Sequence, residues 1–151
     1  MGAEPRVFLD TSVLFAAVYS QTGGARLILK LGEAGVVSLW VGPWVLKEAE
    51  AVLDRKSPKS KRLFALLLDR SGVQVGKESD AATAQQAHAI VDYAPDAQVV
   101  AEALTSEADY LVSLDRQHLV RNPRTSALPF PVGTPGDFLA WYREQLQEDR
   151  D

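Results

Sequence analysis

The chain contains no cysteine, which removes disulfides, thiolate metal sites and cysteine nucleophiles from its chemistry. That fits a reducing compartment without demanding one. Histidine is nearly as scarce. His88 and His118 are the two, neither in a metal-ligand spacing nor beside a candidate serine nucleophile, so both are expected to be structural or surface residues. No apolar run approaches the roughly 20 residues of a membrane-spanning helix, and there is no charged-then-apolar leader. A cytoplasmic protein without membrane contact is expected. Positive excess is missing as well: the net charge is -4. This argues against coating nucleic acid by bulk charge, while leaving room for a local basic patch beside an acidic site.

What remains is an ordinary globular chain of 151 residues, 46% hydrophobic and 24% charged. That is enough for one domain around a single core. A single domain over 1–151 is expected, with residues 1–5 as a flexible lead-in. Arg6–Leu9 reads as a strand and Ser12–Ser20 as a helix. Leu27, Ile28, Leu31 and Ala34 recur at helical spacing, with Gly35 as the stop. Val36–Val41 is β-branched and aromatic enough for a second strand. Gly42-Pro43 opens a helix whose apolar stripe is Val45, Leu46, Ala49, Val52 and Leu53. A basic segment, 55–62, leads to a helix with Leu63, Phe64, Leu66, Leu67 and Leu68, ended by Gly72. Val73–Val75 is a short strand, Asp80–Ile90 a helix, Asp92–Asp96 a turn, and Val99, Val100, Ala103 and Leu104 mark the next helix. Tyr110–Leu114 is the clearest later strand, Val132 falls in a short last one, and a helix closes the chain from Thr134 onward. Strands alternating with helices predict a three-layer α/β/α sandwich with a central parallel sheet.

The acids follow this frame. Asp10 and Asp115 each follow an apolar strand, and parallel strands share their carboxyl edge, where open α/β sheets place their ligand crevice. Asp96 starts the helix feeding the Tyr110–Leu114 strand, so it belongs to the same edge. Glu48 lies three residues after Val45 and four before Val52, on the apolar face of its helix. Taken singly, each aspartate also suits a helix cap and Glu48 also suits a solvated stripe edge. Taken together they form a repulsive cluster with too few lysines and arginines to neutralise it. A hard divalent cation, one or two ions of Mg²⁺ or Mn²⁺, is the expected answer to oxygen ligands alone.

These residues resemble the motifs of the PIN-domain family, which includes the VapC-like toxins of toxin–antitoxin pairs. Val7-Phe8-Leu9-Asp10-Thr11-Ser12-Val13 is similar to the family's hydrophobic-Asp-[Thr/Ser]-[Asn/Ser] opening, with Ser12 where many relatives carry asparagine. Glu48 falls at the family's helical glutamate, and the segment Asp96–Leu104 resembles the third acidic motif. Ala108–Asp115 resembles "ADYLVTxD", with serine at 113. Thr134–Leu139 resembles the start of the last helix in one branch. The resemblance implies a Mg²⁺- or Mn²⁺-dependent endoribonuclease for single-stranded RNA. In it Asp10, Glu48, Asp96 and Asp115 are the catalytic and metal residues, and an activated water attacks the phosphodiester in line. It makes a small antitoxin and a homodimer plausible partners, with the faces of the 43–54 and 61–70 helices as the surface.

Thr11, Ser12 and Ser113 are expected to orient the carboxylates, with local backbone capping as the equal alternative. Arg116, Arg121 and Arg124 stand just beyond Asp115 as phosphate contacts, and the 55–62 cluster is a second basic candidate. Asp92 is expected to be a turn residue, and Trp40, Trp44 and Trp141 packing residues. Receiver-like and haloacid-dehalogenase-like readings fail on the missing acidic neighbours of Asp10. The remaining rivals are a non-catalytic PIN-like binding module and a stand-alone RNA-processing nuclease.

Overall fold

Arg6–Leu9 forms strand β1, and its last three side chains are fully buried. Helices covering both faces of a parallel sheet produce that pattern, which is why the strand is apolar without alternation. The structure is a computed structural model in which residues 4–150 are described. After β1 come α1 (Thr11–Tyr19), α2 (Gly24–Glu33), β2 (Ser38–Val41), α3 (Pro43–Lys56), α4 (Lys61–Arg70), β3 (Gln74–Val75), α5 (Ala81–Ile90), α6 (Ala94–Thr105), β4 (Tyr110–Val112), β5 (Val132–Gly133) and α7 (Pro135–Arg150). Short helical turns fill Pro58–Ser60, Arg116–Val120 and Pro123–Ala127.

The five strands pair in the order β3-β2-β1-β4-β5, every pair parallel. The chain moves from β1 outward to β3, then returns across the sheet to β4. Parallel crossovers are right-handed, so this reversal sends α5 and α6 to the face opposite the first helices. The packing agrees: α1, α2 and α7 touch in sequence, α5 pairs with α6, and α3 meets both α1 and α6. The expected three-layer sandwich is therefore the observed fold. The order reverses between β1 and β4, and that switch point is where open parallel sheets form a crevice. Among the described residues no helix is long and apolar enough to cross a membrane.

Several boundaries differ from the sequence expectation for identifiable reasons. Of the lead-in expected over 1–5, residues 1–3 lie outside the described residues, whereas the Pro5 carbonyl accepts from Ser38 N at 2.9 Å and is already tied to β2. The second strand begins at Ser38 rather than Val36. Gly35 adopts φ 76° and Val36 N turns back to the Leu31 carbonyl, so this residue closes α2 instead of starting a strand. Gly72 ends α4 by the same left-handed device, at φ 66°. The strand expected over Tyr110–Leu114 stops at Val112 because side chains take over the ladder: Leu114 N donates to Ser12 Oγ and Asp115 N to Ser113 Oγ.

Candidate active site

The register of β1 on β4 builds the first half of the site. Leu9 pairs with Val112, and Asp10 N extends the ladder to the Val112 carbonyl at 3.1 Å. Asp10 and Ser113 therefore emerge side by side at the carboxyl edge. Ser113 Oγ donates to Asp10 Oδ2 at 2.6 Å, Ser12 Oγ to the same oxygen at 3.0 Å, and Thr11 Oγ1 to Oδ1 at 3.2 Å. Asp10 is 4% exposed and caps no helix through its side chain. Ser12 and Ser113 play both roles open to them, since their Oγ atoms hold the Asp10 carboxylate and also accept from Leu114 N and Asp115 N, while Thr11 contacts the carboxylate.

Asp115 belongs to a different local structure. It precedes a π-helical turn, Arg116–Val120, and its Oδ1 accepts from His118 N at 2.9 Å. Its other oxygen, Oδ2, faces His118 Nδ1 at 3.0 Å. Asp96, in the first turn of α6, brings its own Oδ2 to 3.5 Å from the same nitrogen. One ligand atom from each of Asp96, Asp115 and His118 lies within 4.8 Å of the others. Asp96 Oδ2 is buried and has no hydrogen-bond partner. Burial, followed by the hydrogen bond and charge of Asp115 and the charge of Asp10, pushes the Asp96 carboxyl up to about 8. Partial burial also pushes Asp115 up, but hydrogen bonds from Asp96 and His118 outweigh it and hold Asp115 below the ordinary carboxylate range. Without a cation, Asp96 thus keeps its proton up to about pH 8.

Of the expected acids, the fold brings Asp96 and Asp115 into contact and Asp10 close enough for its charge to act on Asp96. Glu48 is half-buried on α3 and stands outside the close group. His118 takes part where a structural or surface role was expected. The π-helical turn returns it to Asp115 at i+3, a short-range signal available from spacing once the strand is known to end at Val112. Glu102 was not anticipated either. It is 1% exposed on α6 and accepts from Trp44 N at 2.7 Å and Val45 N at 3.1 Å, neutralising the free amides at the start of α3. Gly42 permits this approach, since a Cβ there would collide with the Glu102 carboxylate.

The basic candidates separate. Arg124 is spent on Asp92, at 3.5 Å, and on the Ala89 carbonyl, while Arg116 and Arg121 are exposed beside the site. Asp92 holds that contact from the short connection between α5 and α6. In the 55–62 segment Lys61 pairs with Asp54 at 2.5 Å. Trp141 packs with Tyr110 and Phe138, Trp40 lies under the Arg6 guanidinium, and half-buried Trp44 begins α3.

A divalent cation fits this donor set. The Asp96 and Asp115 carboxylates converge with His118, the charge of Asp10 reaches Asp96, one oxygen is buried without a partner, and oxygen donors favour hard cations. Fold and site together define an α/β protein with an acidic crevice at the switch point of its parallel sheet. Within that class the chain belongs to the PIN-domain family, whose profile matches residues 6–117. Two solved structures share the fold. VapBC2 from Rickettsia felis, crystallised with a DNA fragment from its promoter, has a chain 14% identical with a TM-score of 0.62, covering 84% of this chain and 96% of that one. Mycobacterium tuberculosis VapC20, described as a sarcin–ricin loop cleaving toxin, is 19% identical with a TM-score of 0.54, covering 82% and 95%. No curated protein matches the sequence significantly.

Proposed function

We propose that the protein is a Mg²⁺- or Mn²⁺-dependent endoribonuclease acting on single-stranded RNA, and that it serves as the toxin of a toxin–antitoxin pair in the cytoplasm. The observation that carries this reading is the buried, unpartnered Asp96 Oδ2, facing Asp115 at the edge where Asp10 is locked in place. A non-catalytic scaffold gains nothing from such a cluster, because buried carboxylates without a counter-charge are costly. Asp10, Asp96 and Asp115 would hold the cation, with Glu48 on α3 as the outer acid. A bound divalent cation supplies a low-pKa water and neutralises charge on the phosphoryl oxygens. The chain's own part is to fix the donors: Ser12, Thr11 and Ser113 orient Asp10, and the cap at Asp115 fixes the other carboxylate. Arg116 and Arg121, both exposed and following Asp115 in the chain, are the phosphate contacts of this reading.

The toxin role draws support from family membership and from the kinship in fold with VapBC2 and VapC20. A surface for a small antitoxin or a second copy is available on α4, where Leu63 and Leu66 are 40% and 43% exposed. On the other side of α4, facing α3, an apolar cleft of about 310 Å³ is lined by Leu46, Leu53, Phe64 and Leu68. The decisive experiment incubates wild type, Asp10→Asn and Asp96→Asn with a mixed RNA pool and Mg²⁺ or Mn²⁺. Wild type should cleave, EDTA should abolish cleavage, and each folded variant should lose at least about a hundredfold in rate. Equal cleavage by all three proteins would sink the assignment. A neighbouring reading frame encoding a small DNA-binding protein would support the toxin role; its absence would favour a stand-alone RNA-processing nuclease.

A further inference from the structure

We propose that His118 is itself a metal ligand through Nδ1, completing a site with Asp96 and Asp115, and that this nitrogen biases the protein toward Mn²⁺ over Mg²⁺. The inference rests on the metal-dependent reading above and concerns which residues hold the ion and which ion is held.

The geometry is specific. His118 Nδ1 lies 3.0 Å from Asp115 Oδ2 and 3.5 Å from Asp96 Oδ2. Neighbouring ligand atoms of an octahedral ion with bonds of about 2.1 Å sit about 3 Å apart. His118 Nδ1 thus stands from each carboxylate oxygen at close to the spacing of an adjacent ligand, and one ligand atom from each residue lies within 4.8 Å of the others. One N–H on Nδ1 satisfies Asp115 and leaves Asp96 Oδ2 buried with no hydrogen bond from the ring. A cation among the three satisfies all of them, with the imidazole proton on Nε2.

The ring is held for this task. Tyr93 stacks on His118 with centroids 4.4 Å apart and planes 20° from parallel. His118 N is bound to Asp115 Oδ1, and Asn122 Nδ2 donates to the His118 carbonyl at 3.1 Å. Support of this kind fixes the orientation of metal-binding histidines. Imidazole suits later divalent metals, whereas Mg²⁺ prefers oxygen and retains its water. A nitrogen donor in an otherwise carboxylate site therefore raises Mn²⁺ affinity more than Mg²⁺ affinity.

The test uses the untagged full chain and Mn²⁺ alone. Electron paramagnetic resonance counts bound Mn²⁺, and electron spin echo modulation detects ¹⁴N coordinated to it. Wild type and His88→Gln should both show ¹⁴N modulation, which assigns the nitrogen without touching the site because the chain has two histidines. His118→Gln should lose the modulation and bind Mn²⁺ at least about tenfold more weakly, with a smaller loss for competing Mg²⁺. Bound Mn²⁺ without ¹⁴N modulation in wild type, or modulation surviving His118→Gln, would overturn the inference and leave the nuclease reading standing. Failure of wild type to bind millimolar Mn²⁺ would overturn both.

Discussion

Asp115 divides its two oxygens between two tasks. Oδ1 caps the π-helical turn, and Oδ2 points at Asp96 and His118. For this residue, capping occupies one oxygen and leaves the other facing the position proposed for a cation. The proton retained by Asp96 gives the arrangement a pH signature. The unfolded chain releases that proton near the ordinary 3.8, whereas the folded, metal-free protein keeps it up to about 8. The folded state therefore binds more protons across this window, and its stability falls as pH rises from about 4 to about 8. Urea midpoints measured at pH 5, 6, 7 and 8 in EDTA should decline, and Asp96→Asn should flatten the decline. A steeper decline in the variant would contradict the assignment of the proton. The placing of Asp10, Asp96 and Asp115 at one sheet edge was readable from strand ends and helix starts, whereas Glu48, read from its helix face, stands outside the close group. The role of His118 was not readable, because it depends on β4 stopping at Val112, and that depends on hydroxyl contacts made across the sheet by Ser12 and Ser113.

Helix α6 is buried around most of its circumference, with Ala97, Val99, Val100, Ala101 and Ala103 all in the core. A helix of that kind lies in the core, and an acid within it must find partners. Glu102 finds them in the first amides of α3, the helix that carries Glu48. Burial pushes the Glu102 carboxyl up, partly opposed by those two hydrogen bonds. Glu102→Ala leaves both amides unpartnered and opens a cavity, at a cost of about 2–4 kcal/mol. Glu102→Gln preserves the volume and one acceptor, so it should cost about half as much. Urea unfolding of the two variants measures this. Midpoints equal to wild type would show that the clamp contributes nothing. The acid was visible inside its apolar run, but its meaning lay in the contact between α6 and α3, which are 58 residues apart at the Trp44 bond. The parallel sheet and its helices were legible because they rest on local patterning. Contacts between helices on different crossovers have no such local trace.

At the scale of the molecule, the acidic edge and the exposed face of α4 are built from different parts of the fold. The acids converge at the switch point between β1 and β4, while Leu63 and Leu66 project from α4, outside the close acidic group. Leu63 and Leu66 are exposed on the solvent side of α4, whereas the apolar cleft of about 310 Å³ opens on its other side, toward α3; the exposed leucines are the candidate protein contact. If the face joins two copies, a charge at its centre should separate them without disturbing the acids. Leu66→Glu is therefore expected to shift the sedimentation coefficient from dimer to monomer at tens of micromolar protein. Its Mn²⁺ binding should stay within twofold of wild type, because the substituted side chain lies outside the metal cluster. A wild-type protein already monomeric at that concentration would remove self-association from the function of this face. It would leave an antitoxin as the partner to seek, with Leu66→Glu now expected to abolish co-purification of a co-expressed small partner.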